Sequence, residues 1–170
     1  MATEWIEKLA EEIKQKNHEA AAEYGRAQHY AGIVSARGKE FFVALVQCLQ
    51  ENVDALRSQL QGDLTASETR VQTSRADEVK ITRSRFPWVD ARLTHHGETI
   101  TLDYAKGLGA KGPGVEGDAK MDRVTRGFAF EVGADEGLFV RDAFAEPGRE
   151  YKKPEELARR IMEMLFGADG

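Results

Sequence analysis

The chain has 170 residues, of which 41% are hydrophobic and 31% charged, with a formal net charge of −5. This length allows one domain with a core of its own, and the balanced composition excludes a disordered tail protein. The acidic balance argues against general affinity for nucleic acid, which needs a basic face. The single cysteine, Cys48, excludes an internal disulfide.

Targeting signals are not evident at the start of the chain. The first segment, MATEWIEKLAEEIKQK, is acidic and amphipathic, and it lacks the basic and then apolar pattern of a signal peptide. No apolar run reaches the length of a membrane span. We therefore expect a cytoplasmic protein that does not enter a membrane.

Residues 3–62 contain no proline and have helical periodicity throughout. A first apolar stripe runs at steps of three and four through Trp5, Leu9, Ile13, Ala20, Tyr24, Ala27, Ala31 and Val34. A second stripe has heptad spacing and comprises Phe42, Val46, Leu49, Val53, Leu56 and Leu60.

The two stripes differ in phase by one position, and the segment SARGKE, with Gly38 as a possible helix terminator, lies between them. This pattern favours a helical hairpin over residues 1–63 that turns near 37–39, because a hairpin buries each stripe against the other. The alternative is one long kinked helix of about 90 Å, at 1.5 Å per residue. A long helix would need a partner chain to cover its stripe.

Residues 64–75 are polar and unpatterned, which predicts a linker. The period then changes to two, which predicts a five-stranded antiparallel β-meander with one face open to water. Its strand segments are EVKITRSR, WVDARLTHH, ETITLDY, VTRGFAFEV and LFVRDAF. The segment KKPEELARRIMEMLFG predicts a C-terminal helix that begins near Pro154 and ends at Gly167. The predicted class is α+β, with residues 76–170 as sheet and helix, packed with the hairpin as one unit.

The motif GLGAKG at 107–112 fits the spacing of a dinucleotide-binding fingerprint, but its context does not. Such a fingerprint needs a helix directly after its glycines, and Pro113, Gly114 and Gly117 oppose one. We interpret 105–123 as a long glycine-rich hairpin loop. Its lysines include Lys106 and Lys111, which favour an anion.

The open sheet face offers the other candidate site. Alternation predicts that Trp88, Arg92 and His96 share this face, opposite Val89, Ala91 and Leu93. The histidine spacings and the mid-helix position of Cys48 predict no metal site and no nucleophile. We predict no catalytic residue and no cofactor.

Two functions follow as hypotheses. The first is a non-enzymatic binding or assembly module. Its interface with itself or another protein would be formed by Phe42, Val46, Leu49, Val53, Leu56 and Leu60, and its sheet would be a recognition surface. The second is a protein or enzyme that binds a small anionic ligand between the sheet and the loop, through Trp88, Arg92, His96, Lys106 and Lys111.

Overall fold

A computed structural model describes residues 2–60, 69–83, 88–107, 123–145 and 148–167. The chain begins with one continuous helix, α1, Ala2–Gln59. Seven strands follow, and the chain continues into a second helix, α2, Pro154–Phe166. The strands are β1 (Thr69–Arg75), β2 (Glu78–Arg83), β3 (Trp88–His96), β4 (Thr99–Gly107), β5 (Val124–Val132), β6 (Leu138–Asp142) and β7 (Glu150–Tyr151).

The strands form one sheet in which every strand pairs antiparallel with its neighbour in the chain. The α+β class and the antiparallel meander are therefore confirmed, but the predicted count of five strands is wrong. One additional strand, β1, lies within the segment predicted as a linker, where Val71 pairs with Ile81. The other, β7, is only two residues long. Neither strand has enough apolar alternation to be recognised, because each lies at an edge of the sheet.

The predicted hairpin is wrong, and its alternative, the single long helix, is present. Gly38 does not end α1: its Cα faces the rings of Phe130 and His95, and the helix continues through it. A glycine inside a helix costs only about 1 kcal/mol. The burial of Phe41, Phe42 and Leu45 on the following turns outweighs that cost.

Both helices pack on the same face of the sheet, and they also contact each other. The buried side chains of this face include the predicted Val89, Ala91 and Leu93 of β3 and Ile100 and Leu102 of β4. Members of both apolar stripes of α1 are buried in the core. The two stripes differ in phase by one position, so together they form a wider buried face than either stripe alone. It includes Val34, Phe41, Phe42, Leu45, Leu49 and Val53.

Candidate interaction surface on the first helix

The first half of α1 lies outside the core. Every residue from 3 to 32 is exposed, and continuous burial of the helix begins at Val34. We call residues 3–32 the arm, and the rest of the described chain the body. At 1.5 Å per residue the arm is about 45 Å long.

The arm carries large apolar side chains in water. Trp5 is 61% exposed and Tyr24 is 66% exposed. Ile6, Leu9, Ile13 and Tyr30 are also exposed. Scattered apolar side chains are normal on a protein surface, but a row at helical spacing is the pattern that normally faces a core.

The arm's contacts are almost all local. Within it, Lys14 pairs with Glu11 at 3.6 Å, and the Gln28 amide donates to the Tyr24 hydroxyl at 2.9 Å. Such pairs between neighbouring turns contribute only about 0.2–0.5 kcal/mol each. At the base of the arm, His29 lies 3.0 Å from a carboxylate oxygen of Glu136, in the turn between β5 and β6.

Arg37, one turn beyond the arm, reinforces this base by donating to the Glu136 carbonyl at 3.2 Å. Glu136 has a φ of 60°, which is uncommon for a residue with a side chain. The turn thus meets α1 at the place where the helix leaves the body. Both contacts tie the base of the arm to this turn.

The open face of the sheet is covered with matched charges. Arg123 donates to Asp103 and Asp90, each at 3.1 Å. Both carboxylates raise the pKa of its guanidinium, with the hydrogen bond to Asp90 the larger cause. An arginine held in this way has its donors directed at protein carboxylates.

A second arginine on this face has the same arrangement. Arg141 donates to Glu131 at 2.8 Å and to Glu150 at 2.9 Å. The hydrogen bond to Glu131 is the main cause that raises the pKa of Arg141. Opposite charges on adjacent strands are ordinary stabilising pairs on a solvated sheet. In these two groups the positive charge of the arginine is already balanced by protein carboxylates.

Three of the residues predicted to bind an anion share the open face of the sheet, as predicted, and Lys106 does not. Arg92 and His96 are exposed on the open face, and Arg92 lies 3.9 Å from Glu78. Trp88 shares that face but is only 5% exposed, because its ring lies on Gly107, where a Cβ would collide with it. Lys111 lies outside the described residues.

Lys106 is on the opposite face of the sheet and has a structural role. Its ammonium group donates to the carbonyls of Met164, at 2.9 Å, and Gly167, at 3.1 Å. These carbonyls lie at the end of α2, where the helix leaves its last acceptors unpaired and its dipole favours a cation. Strand alternation in β4 puts Lys106 on the same face as Leu102 and Tyr104 and on the opposite face from Arg92, and this signal in the sequence was missed.

Half of the residues predicted as an oligomer interface lie in the core. Phe42, Leu49 and Val53 are buried against the sheet and α2, and Val46, Leu56 and Leu60 are partly buried. A side chain packed inside its own chain cannot also be covered by a partner. The exposed apolar surface of α1 lies instead on the arm, in the stripe that the hairpin prediction had buried.

Histidine and cysteine chemistry finds no support in the described segments. His95 and His96 are adjacent on β3 and point to opposite faces, and His95 stacks on Phe42 with ring centroids 5.3 Å apart. Burial, together with Glu155 and Glu51, raises the pKa of the Cys48 thiol, which disfavours the reactive thiolate. Within the described ranges, no three His, Cys, Asp or Glu residues are grouped as metal ligands would be.

Compared with models of protein families, with curated proteins and with solved structures, the chain has no significant match. In the described parts of the chain, neither helix combines the length and the apolar character that crossing a bilayer requires.

Proposed function

We propose that this protein is a non-enzymatic assembly module that joins polypeptide chains through the arm of α1. The observation that supports the proposal is the row of exposed apolar side chains on a helix that leaves its own body. Most helical stability in proteins comes from packing of an amphipathic face, and a helix held only by local pairs is marginal in water. The helix of the arm would therefore be stabilised when another chain covers its apolar stripe.

The body supplies a rigid base for this interface. Its core holds α1 from Val34 to Val53, and the contacts of Glu136 hold the helix where the arm begins. A rigid base reduces the conformational entropy lost on association, which favours binding. The open sheet face, displayed at the end of the arm, is a second surface for recognition.

The proposal is not extended to a small anionic ligand. The open face has cations, but Arg123 and Arg141 are each bonded to two carboxylates. Lys106 lies on the other face and binds the end of α2. An anion that bound to Arg123, Arg141 or Lys106 would have to displace these partners.

The test compares two exposed apolar residues of the same helix, Ile13 in the arm and Val43 in the body. Val43 is 63% exposed and Ile13 is 50% exposed, so aspartate at either position leaves the core intact. We expect the full-length protein to associate in sedimentation velocity as its concentration rises. Ile13→Asp should abolish that association, and Val43→Asp should leave it unchanged.

Circular dichroism and the unfolding midpoint of each variant serve as controls for the fold. A wild-type chain that stays monomeric at the highest usable concentration would contradict the proposal. So would association that both variants weaken equally, since the interface would then not be specific to the arm.

A further inference from the structure

We infer that the arm pairs with the arm of a second copy of this chain, antiparallel, with Thr3 of each copy opposite Val34 of the other. This inference rests on the proposed function and names the partner, the direction and the register. It is carried by the apolar pattern, by the charges that flank that pattern, and by the position at which the body begins.

The apolar pattern continues a face that is already buried in the body. Val34, Gly38, Phe41 and Leu45 are buried against the sheet at alternating steps of four and three. The same steps continue without a break toward the start of the helix. They pass through Ala31, Ala27, Tyr24, Ala20, Asn17, Ile13, Ala10 and Ile6. Over four heptads, the arm therefore exposes the same face of the helix that the body buries from Val34 onward.

In an antiparallel pair with this register, each core layer has a defined partner. Ile6 lies opposite Ala31 of the second copy, Ala10 opposite Ala27, and Ile13 opposite Tyr24. Asn17 lies opposite Ala20 at the centre, and two-fold symmetry repeats each layer. Layers that contain an isoleucine are therefore separated by layers of alanine or asparagine. The overlap of about 32 residues exceeds the three to four heptads that a coiled coil needs.

The flanking positions then carry complementary pairs. Each heptad has two core positions. In an antiparallel coiled coil, the residue just before the first core position of one helix lies beside the residue just before the first core position of the other helix. Lys16 therefore meets Glu23 of the second copy, and this pair occurs twice. Leu9 meets Tyr30 twice, which covers two of the exposed apolar side chains. On the other flank, Glu7 meets Gln28, and Lys14 meets Ala21, so no like charges face each other.

Neighbouring registers are disfavoured by like charges that face each other or by steric overlap with the other body. A register one heptad shorter places Lys14 opposite Lys14 and Lys16 opposite Lys16. A register one heptad longer places Glu23 opposite Glu23, and it drives the first turns of each helix into the other body beyond Val34.

A parallel pair has no comparable support. In that direction Lys16 lies beside Ala21 of the second copy, and Glu23 lies beside Gln28, so the flanks contain no opposite charges. A parallel pair also places both bodies at the same end. The antiparallel pair places them at opposite ends of a rod about 48 Å long, at 1.5 Å per residue.

Charge exchange at residues 16 and 23 tests the register in the full-length protein. Lys16→Glu alone and Glu23→Lys alone each convert two attractive pairs into two repulsive ones. We expect either change to weaken dimerisation roughly tenfold in sedimentation equilibrium. The double variant should restore it, and so should a mixture of the two single variants, in which every pair is complementary. Lys14→Glu, which faces an alanine, is the matched control and should have little effect.

Spin labels test the direction. On a Cys48→Ser background, cysteine replaces Lys8 in one variant and Glu19 in another, and each is labelled. In the antiparallel register, residue 8 lies opposite residue 29, so the labels at 8 are separated by about 31 Å along the axis. Labels at 19 lie almost level with each other. Two short distances would show a parallel pair and overturn the inference.

The outcomes separate this inference from the proposed function. Association that Ile13→Asp abolishes, but that the charge exchange does not restore, would overturn the register while the assembly function stands. The same holds for a dimer with two short label distances. A chain that remains monomeric under all conditions would overturn both.

Discussion

The two halves of α1 are one continuous helix with opposite surroundings. From Val34 onward one apolar face of the helix is buried by the sheet and by α2, whereas from Thr3 to Gly32 every residue is exposed. Both halves have apolar residues at helical spacing. The contrast shows that an amphipathic pattern predicts burial but does not predict which surface provides it.

The largest expected effect tests this contrast with one substitution in each half. Leu49→Ala removes a side chain that is 0% exposed, so it should lower the free energy of unfolding by about 2–5 kcal/mol. Leu9→Ala in the arm should change it by no more than about 0.5 kcal/mol. Urea unfolding at concentrations low enough for monomers measures both values. A large loss from Leu9→Ala would mean that the arm folds onto the body.

A second expected effect concerns how α2 is held in the body. Lys106→Met removes two charge-assisted hydrogen bonds to the last carbonyls of α2 and keeps the apolar stem of the side chain. We expect a loss of about 1–2 kcal/mol in the free energy of unfolding. Lys80→Met, on the open face, is the control and should cost less. Equal losses would show that the bonds to α2 do not contribute.

The glycines of the arm provide a smaller effect with the opposite sign. A Cβ at Gly25 meets nothing within 4 Å, so Gly25→Ala adds helix propensity without a clash. The arm should become more stable as a helix by up to about 1 kcal/mol. Slower amide hydrogen exchange near residue 25, with unchanged exchange in the sheet, would confirm that the arm opens independently of the body.

The smallest effect is a pH dependence confined to the body. The hydrogen bond from Ser74, at 2.7 Å, is the main cause that lowers the pKa of Glu78, and Arg92 and Arg75 assist it. A carboxyl with a lowered folded pKa stabilises the protein above its unfolded value, near 4.3, and this stabilisation fades as the pH falls through the folded value. Glu78→Gln should therefore lower stability more at pH 7 than at pH 3. A constant difference between the two pH values would contradict this assignment.

Much of the fold could be predicted from local patterns. Alternation in β3 correctly assigned Val89, Ala91 and Leu93 to the buried face, and Pro154 correctly marked the start of α2. The short strands β1 and β7 were missed, because they are held by pairing with a neighbour more than by their own pattern.

The surroundings of the two apolar stripes depend on tertiary packing. The sequence shows both stripes on α1, and the predicted interface was the stripe from Phe42 to Leu60. In the structure Phe42, Leu49 and Val53 of that stripe are buried in the body, whereas the stripe that starts at Trp5 is exposed as far as Ala31. Both stripes have helical spacing, so the spacing by itself does not determine which of them the body covers.

Helical periodicity, strand alternation and the prolines determined the order and type of the main elements, because these depend on neighbours in the chain. Whether α1 would turn back at Gly38, and which of its apolar stripes would be covered, depended on where the sheet packed. The sheet meets the helix from Val34 onward and continues its burial past the glycine. That choice belongs to tertiary packing, because the free energy of burying Phe41, Phe42 and Leu45 exceeds the local preference of one glycine to end a helix.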